Sequence, residues 1–192
     1  MAAPAGANVR PQGNSPLLPD TVDTQRLRLR RPVPTDAEPI FQTYAQDPEV
    51  TRYLEWVPHA SVETTREFVS LCQDRWTNSV AFPYVITRKE DAALLGMIEV
   101  RPNGHRADFG YVLARSYWGD GFMPEAIAAI AKITLGHPTI YRMFATCDVE
   151  NKASARALEK AGFAREGLLR KHIIHPNISP EPRDSLLYAL TK

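Results

Sequence analysis

Gly119-Asp120-Gly121 is the piece of this chain whose residue types and spacing point most directly to chemistry. It lies within Ser116-Tyr-Trp-Gly-Asp-Gly-Phe-Met-Pro-Glu-Ala126, after the apolar run Phe109 to Leu113 and before the apolar run Ala126 to Leu135. The first run reads as a strand and the second as a helix. A strand, a Gly-x-Gly turn and a helix N-terminus build an anion site, because glycines let the backbone approach closely and unpaired amides point outward at the positive end of the helix dipole. The chemistry expected first is binding of a ligand that carries phosphates. Other reactive groups are sparse. His59, His105, His137, His172 and His175 form no HExxH or paired spacing, and Cys72 and Cys147 are far apart and outside any metal-ligand pattern. No metal and no disulfide framework are expected, and both thiols should be free and mostly buried.

The elements that must position this turn can be read from periodicity. At 192 residues with 44% hydrophobic composition, the chain suits one domain with one core. Residues 1 to about 20, rich in Ala, Pro, Gly and Asn, read as a flexible tail ahead of a single domain over 21–192. A formal charge of +1, from 23 basic and 22 acidic residues, gives no broad footprint for nucleic acid or an anionic membrane. No window approaches a membrane span and the N-terminus lacks a signal-peptide core, so a cytoplasmic location is expected.

Arg26-Leu-Arg-Leu-Arg30 alternates as a half-buried strand does, with its arginine face expected in solvent. A capping box of Thr35 with Glu38 predicts the next helix, and Ser61 predicts another whose apolar face is Val62, Thr65, Val69, Cys72 and Trp76. Phe82 to Thr87, Leu94 to Val100 and Ala107 to Leu113 then read as an antiparallel meander. The glycine turn and its helix lead into a strand from Tyr141 to Cys147, making a parallel strand-helix-strand unit. A helix from Asn151, stopped by Gly162, and strands at Ala164 to Ile174 and Ser185 to Leu190 around a Pro-rich loop complete the chain.

Two segments in that order, Tyr117-Trp-Gly-Asp-Gly-Phe122 with Glu125-Ala126, and Asn151-x-x-Ser154-x-x-x-Leu158-x-Lys160-x-Gly162-Phe163, resemble the acetyl-CoA motifs of GCN5-related N-acetyltransferases, the GNAT superfamily. Thr24 to Arg30, Asp47 to Leu54 and Asp108 to Tyr111 are similar to its RimJ/RimL-like branch, the ribosomal-protein alanine N-acetyltransferases and their relatives. The likeness covers residues 24 to 190. One position departs from it: where the superfamily carries Gln or Arg three residues before the first glycine, this chain has Ser116.

The resemblance implies an α+β fold with a mixed sheet of about six to seven strands and about four helices. It implies acetyl-CoA as co-substrate and direct transfer of acetyl to an amine. Amides of Trp118, Gly119, Asp120, Gly121, Phe122 and Met123 would cradle the pyrophosphate. The strand ending near Leu113 and the strand ending near Cys147 would splay, leaving Val112, Leu113 and Thr146 to pair with the pantetheine arm. Asn151 would bond the cofactor, cap the following helix, or do both. Ser154 would stabilise or protonate the leaving thiolate, or serve only as a first-turn serine. Asp108, where relatives often carry Glu, would take the amine's proton directly or through water, with Glu99 on the neighbouring strand as the second choice; an exposed strand carboxylate is the alternative reading.

For the acceptor, an α-amine with pKa about 7.7–8.0 is far easier to present neutral than a lysine near about 10.4. With no histidine or clustered carboxylates at the expected site, a protein or peptide N-terminal α-amine is favoured over a small amine such as an antibiotic, polyamine or amino acid. A non-catalytic acetyl-CoA-binding domain is the reading from another class. Trp56, Pro58 and His59 are expected to form the acceptor pocket with the loop around Pro176 to Pro182, Trp56 being equally readable as core. The resemblance leaves a homodimer open.

Overall fold

In the computed structural model, which describes residues 17–192, strands β1 (Thr21–Asp23), β2 (Leu27–Arg30), β3 (Phe82–Arg88), β4 (Leu94–Asn103), β5 (Arg106–Leu113), β6 (Arg142–Asp148), β7 (Ala164–Ile173) and β8 (Arg183–Thr191) form one sheet. Its order is β1-β2-β3-β4-β5-β6-β8-β7. Every neighbouring pair is antiparallel except β5 with β6. The sheet is wider than expected because Thr21–Asp23 adds a three-residue edge strand on β2. Helices among the described residues are α1 (Ala37–Ile40), α2 (Pro48–Thr51), α3 (Val62–Thr77), α4 (Phe122–Gly136) and α5 (Lys152–Lys160), α1 and α2 being about one turn each.

Period-two alternation sorts the sheet's side chains between two faces. From β3 and β4, Tyr84, Ile86 and Ile98 join the larger core with Ile127 and Ile130 of α4 and Leu158 of α5. Val85 and Met97 turn the other way, onto Ile40 of α1 and Val69 and Cys72 of α3. Central β3 is therefore apolar on both faces and reads as an almost unbroken hydrophobic run. Thr65, Val69, Cys72 and Trp76 of α3 are buried as their spacing predicts, and the Ser61 side chain accepts from the Thr64 amide.

Two local expectations need correction. The capping box of Thr35 with Glu38 does not form; Asp36 accepts from the Val33 amide at 2.7 Å and is gripped by Arg30 at 2.6 Å, so a 3₁₀ turn over Pro34–Asp36 precedes α1. The arginine face of β2 stands largely in solvent as expected, Arg28 pairing at the surface with Asp23, while Arg30 is half-buried against Asp36. Packed structure also begins ahead of residue 20: Leu18 is fully buried and the Tyr84 hydroxyl donates to the Pro19 carbonyl at 2.6 Å. The rest of the expected tail, residues 1–16, lies outside the described residues. Cys72 and Cys147 are free and buried, and burial pushes the Cys72 thiol up to about 12.

Candidate functional site

The site opens where β5 and β6 part. They pair only at Arg106 with Arg142, Ala107 with Met143 and Asp108 with Phe144. Beyond that, β5 stays on β4 as far as Leu113 with Gly96, and β6 stays on β8 as far as Asp148 with Ser185. Each strand is held by its outer neighbour, so the inner edges diverge with unpaired backbone groups that need a partner. A cleft of about 490 Å³ follows the gap, lined by Phe109 to Leu113, by Thr146 to Asp148 and by the starts of α4 and α5.

The geometry of β5 at this point requires Gly96. A Cβ there would stand 2.1 Å from the Val112 carbonyl oxygen and 3.0 Å from the Leu113 Cα. That carbonyl is thus turned onto β4, while the Val112 side of the strand still lines the cleft. The Leu113 carbonyl accepts from the Trp118 indole at 2.7 Å, which fastens the glycine turn to the end of the strand.

Gly119 and Gly121 have φ of 93° and 78°, left-handed values that make room for the turn, and Gly121 is the N-cap of α4. No side chain caps the helix. The Trp118 amide is used by the Arg115 carbonyl at 3.1 Å, so the expected cradle is narrower than Trp118 to Met123. The amides of Gly119, Asp120, Gly121, Phe122 and Met123 find no partner among the described residues. Pro124 has none to offer, as suits a first turn. These amides and the helix dipole make the anion site that the residue types suggest.

A clamp that sequence reasoning missed holds this turn. Glu125 accepts from the Thr24 hydroxyl at 2.6 Å, the Arg26 amide at 2.9 Å and the Arg26 guanidinium at 2.7 Å. Arg26 also donates to the Asp120 carbonyl at 2.9 Å and lies 4.5 Å over the Phe122 ring. The start of α4 is therefore pinned to β2, and the signal was present in the likeness of Thr24 to Arg30 to the RimJ/RimL-like branch. Burial would raise the Glu125 carboxyl, but the bonds from Thr24 and Arg26 outweigh it and hold the group below its ordinary range. A depressed folded-state pKa contributes stability above the unfolded value, near about 4.3, that is lost as pH falls through the folded value. Glu125→Gln is expected to cost about 1 kcal/mol at neutral pH after allowance for partial exposure. The difference from wild type should shrink on acidification, as thermal melts from pH 7 to pH 3 would read.

On the opposite wall, Asn151 caps α5: its side-chain oxygen accepts from the Ser154 amide at 3.0 Å, which leaves its NH₂ group to donate elsewhere. Ser154 and Asn151 both line the cleft. The Ser154 hydroxyl lies 2.6 Å from the Tyr111 hydroxyl, a partner that no spacing rule singled out. Burial pushes the Tyr111 phenol well above its usual range, with the Ser154 contact opposing more weakly, so Tyr111 stays protonated.

Asp108 and Glu99 stand on one face of the sheet in an arginine network. Asp108 accepts from Arg101 at 2.6 and 2.7 Å; Glu99 accepts from Arg75 at 2.7 Å and from Arg101 at 3.1 Å. Arg101 lines the cleft whereas neither carboxylate does.

Trp56, Pro58 and His59, expected at the acceptor, are not among the residues that line the cleft, where Glu49, Val50, Arg52, Tyr53, Leu54 and Glu55 stand. The Trp56 and His59 rings pack 5.0 Å apart, with His59 on Thr65 at 2.8 Å and on Phe68, so apolar packing claims them. Asn177, in the Pro-rich loop, donates to the Thr51 carbonyl at 2.7 Å and the Trp56 carbonyl at 2.8 Å, which ties that loop to this segment. A histidine does reach the cleft, contrary to expectation: the turn after β7 brings in His175, 3.7 Å from Asp148 at the end of β6. Periodicity could not show this, because 27 positions and an intervening helix and strand separate the two residues.

An extended, anionic acyl carrier fits this arrangement. Free amides at α4 suit a pyrophosphate, the bare edges of β5 and β6 suit a chain of amides, and hydroxyls at Ser154 and Tyr111 suit the reacting end. The cleft thus joins an anion site, two unpaired strand edges and a pair of hydroxyls along one path.

The comparisons point to one family. A family model described as acetyltransferase (GNAT) domain matches residues 26–164. An uncharacterized N-acetyltransferase p20 of Bacillus licheniformis is 34% identical over 158 residues, covering 80% of this chain and 87% of that protein. The crystal structure of a GNAT-family acetyltransferase from Bacillus anthracis superposes with a TM-score of 0.77 at 28% identity, covering 89% of this chain and 98% of that one. The [ribosomal protein uS5]-alanine N-acetyltransferase of Escherichia coli is 28% identical over 115 residues, 58% of each chain. The chain belongs to the GNAT acetyltransferases and is an N-acetyltransferase with acetyl-CoA as its donor.

Proposed function

We propose that the protein acetylates the α-amine of a peptide or protein N-terminus by direct transfer from acetyl-CoA. The observation that supports an α-amine is that Asp108 and Glu99 are engaged by Arg101 and Arg75 and do not line the cleft, so neither carboxylate stands where it could meet an incoming amine. An α-amine near about pKa 7.7–8.0 needs little help at neutral pH, whereas a lysine near about 10.4 needs a hundredfold or more. Similarity to the uS5-alanine N-acetyltransferase supports the same class.

In this reading, the amides of Gly119 to Met123, the Asn151 side chain and the edges at Leu113 and Thr146 hold the donor. Acetyl-CoA supplies a thioester whose sulfur must leave as a thiolate. Ser154 holds a proton on its Oγ beside the cleft, and the hydrogen bond between that oxygen and the Tyr111 hydroxyl fixes the orientation of the serine side chain. A small-molecule amine is the second reading, supported by the Asn177 tie that fixes the Pro-rich loop to the segment carrying Tyr53 to Glu55 of the cleft wall.

Thiol release from acetyl-CoA, measured with a panel of amines, separates the two. The expected result is turnover on peptides with a free Ala or Ser N-terminus that disappears when the N-terminus is blocked and a lysine is left free. Turnover on polyamines or amino acids alone would overturn the peptide reading.

A further inference from the structure

His175 is 4% exposed and neither of its ring nitrogens has a hydrogen-bond partner. Leaving a buried polar group unmet is costly, so a native site that does so calls for an explanation. Its surroundings on the cleft wall supply one. Asp148 faces it from β6, with Oδ2 3.7 Å from Nε2. Asp148 is itself held by Arg183 of β8 at 2.7 Å and 3.1 Å, and Arg183 also binds Glu150 at 2.8 Å. From the segment after α2, the Tyr53 ring stands edge-on, 6.3 Å from the imidazole. The backbone is fixed as well, because the His175 carbonyl accepts from the Ile178 amide at 2.9 Å and the Ser179 amide at 3.1 Å, and Asn177 latches the same turn to the segment from Thr51 to Trp56.

We propose that His175 is the catalytic base that takes the proton from the acceptor ammonium, with Asp148 as the residue that stabilises the resulting imidazolium. This rests on the α-amine reading for its choice of acceptor. The balance is simple: one N–H bond of the ammonium breaks, its electron pair stays on the amine nitrogen as the attacking lone pair, and the proton forms an N–H bond on the imidazole, from which it later returns to water. An incoming amine, or one water on its proton, provides the partner that the ring nitrogens lack. Asp148 is suited to its part because burial, which would raise its carboxyl, is outweighed by Arg183 and the Glu150 amide, so it stays ionised.

The test compares wild type with His175→Gln in the full chain, using acetyl-CoA and a mixed panel of N-terminal peptide amines and polyamines. On whichever amine turns over, kcat/KM of wild type should fall on the acid side between about pH 5 and pH 8, where imidazole changes charge. His175→Gln should lower kcat/KM about 100-fold and remove that limb. Its acetyl-CoA dissociation constant and Tm should stay close to wild type. A variant that keeps the wild-type pH profile would overturn the proposal, as would a loss of rate matched by an equal loss of acetyl-CoA affinity. A wrong acceptor class would show separately, in which amine turns over.

Discussion

Ser154→Ala is expected to lower kcat about 100-fold while changing acetyl-CoA affinity little, because the lost group acts on charge that develops only as the thioester breaks. The hydroxyl is placed for this by two contacts: its amide is tied to Asn151 at 3.0 Å, and its oxygen lies 2.6 Å from Tyr111. Tyr111→Phe tests the arrangement independently. It removes only the phenol oxygen, keeps the ring against Phe109, and should lower kcat about tenfold by freeing the serine side chain to turn elsewhere. Steady-state kinetics with calorimetric acetyl-CoA binding read both effects. An unchanged kcat in Ser154→Ala would remove the serine from the chemistry; a Tyr111→Phe loss confined to KM would make the phenol a binding group.

The second large effect is expected at Gly96, which touches no ligand. Gly96→Ala would put a methyl 2.1 Å from a backbone oxygen of β5, and a paired strand cannot move aside as a flexible side chain can. Overpacking of this kind costs about 2–3 kcal/mol, or a Tm lower by roughly 5–10 °C in a chain of this size. The displaced segment is Val112 and Leu113, the lip of the cleft, so acetyl-CoA affinity should fall further than in a control of equal instability made in the core, such as Ile130→Val with a second α4 truncation. Melting curves and binding titrations on the two proteins would separate a site effect from a stability effect. Equal affinities at equal Tm would contradict the role given to this close approach.

How far the chain could be read from its residues varied with how local each signal was. The Gly119-Asp120-Gly121 turn, the Ser61 cap and the Asn151 cap are set by residues within four positions of one another, and each stands where spacing placed it. The splay of β5 from β6 was expected only through family resemblance, because it depends on how far β4 and β8 hold their partners, which alternation within one strand does not encode. Long-range side-chain pairs were the least legible. Glu125 with Thr24 and Arg26, Asp148 with His175, and Asn177 with the wall at Thr51 each join segments 27 to 126 residues apart. Asp108 and Glu99 show the converse. Their positions on adjacent strands were read correctly, but the arginines that occupy them were not, since Arg75 arrives from α3 on the covering layer. Trp56 and His59, read as acceptor residues, pack on each other and His59 on Phe68, while residues just before them line the cleft.

The most direct test of the account is a crystal structure of the protein with acetyl-CoA. The account predicts the pyrophosphate against the amides of Gly119 to Met123, the pantetheine arm between the edges of β5 and β6, and the thioester sulfur within hydrogen-bond reach of Ser154 Oγ. Coenzyme bound with its phosphates away from the α4 N-terminus, or its sulfur out of reach of Ser154, would contradict it.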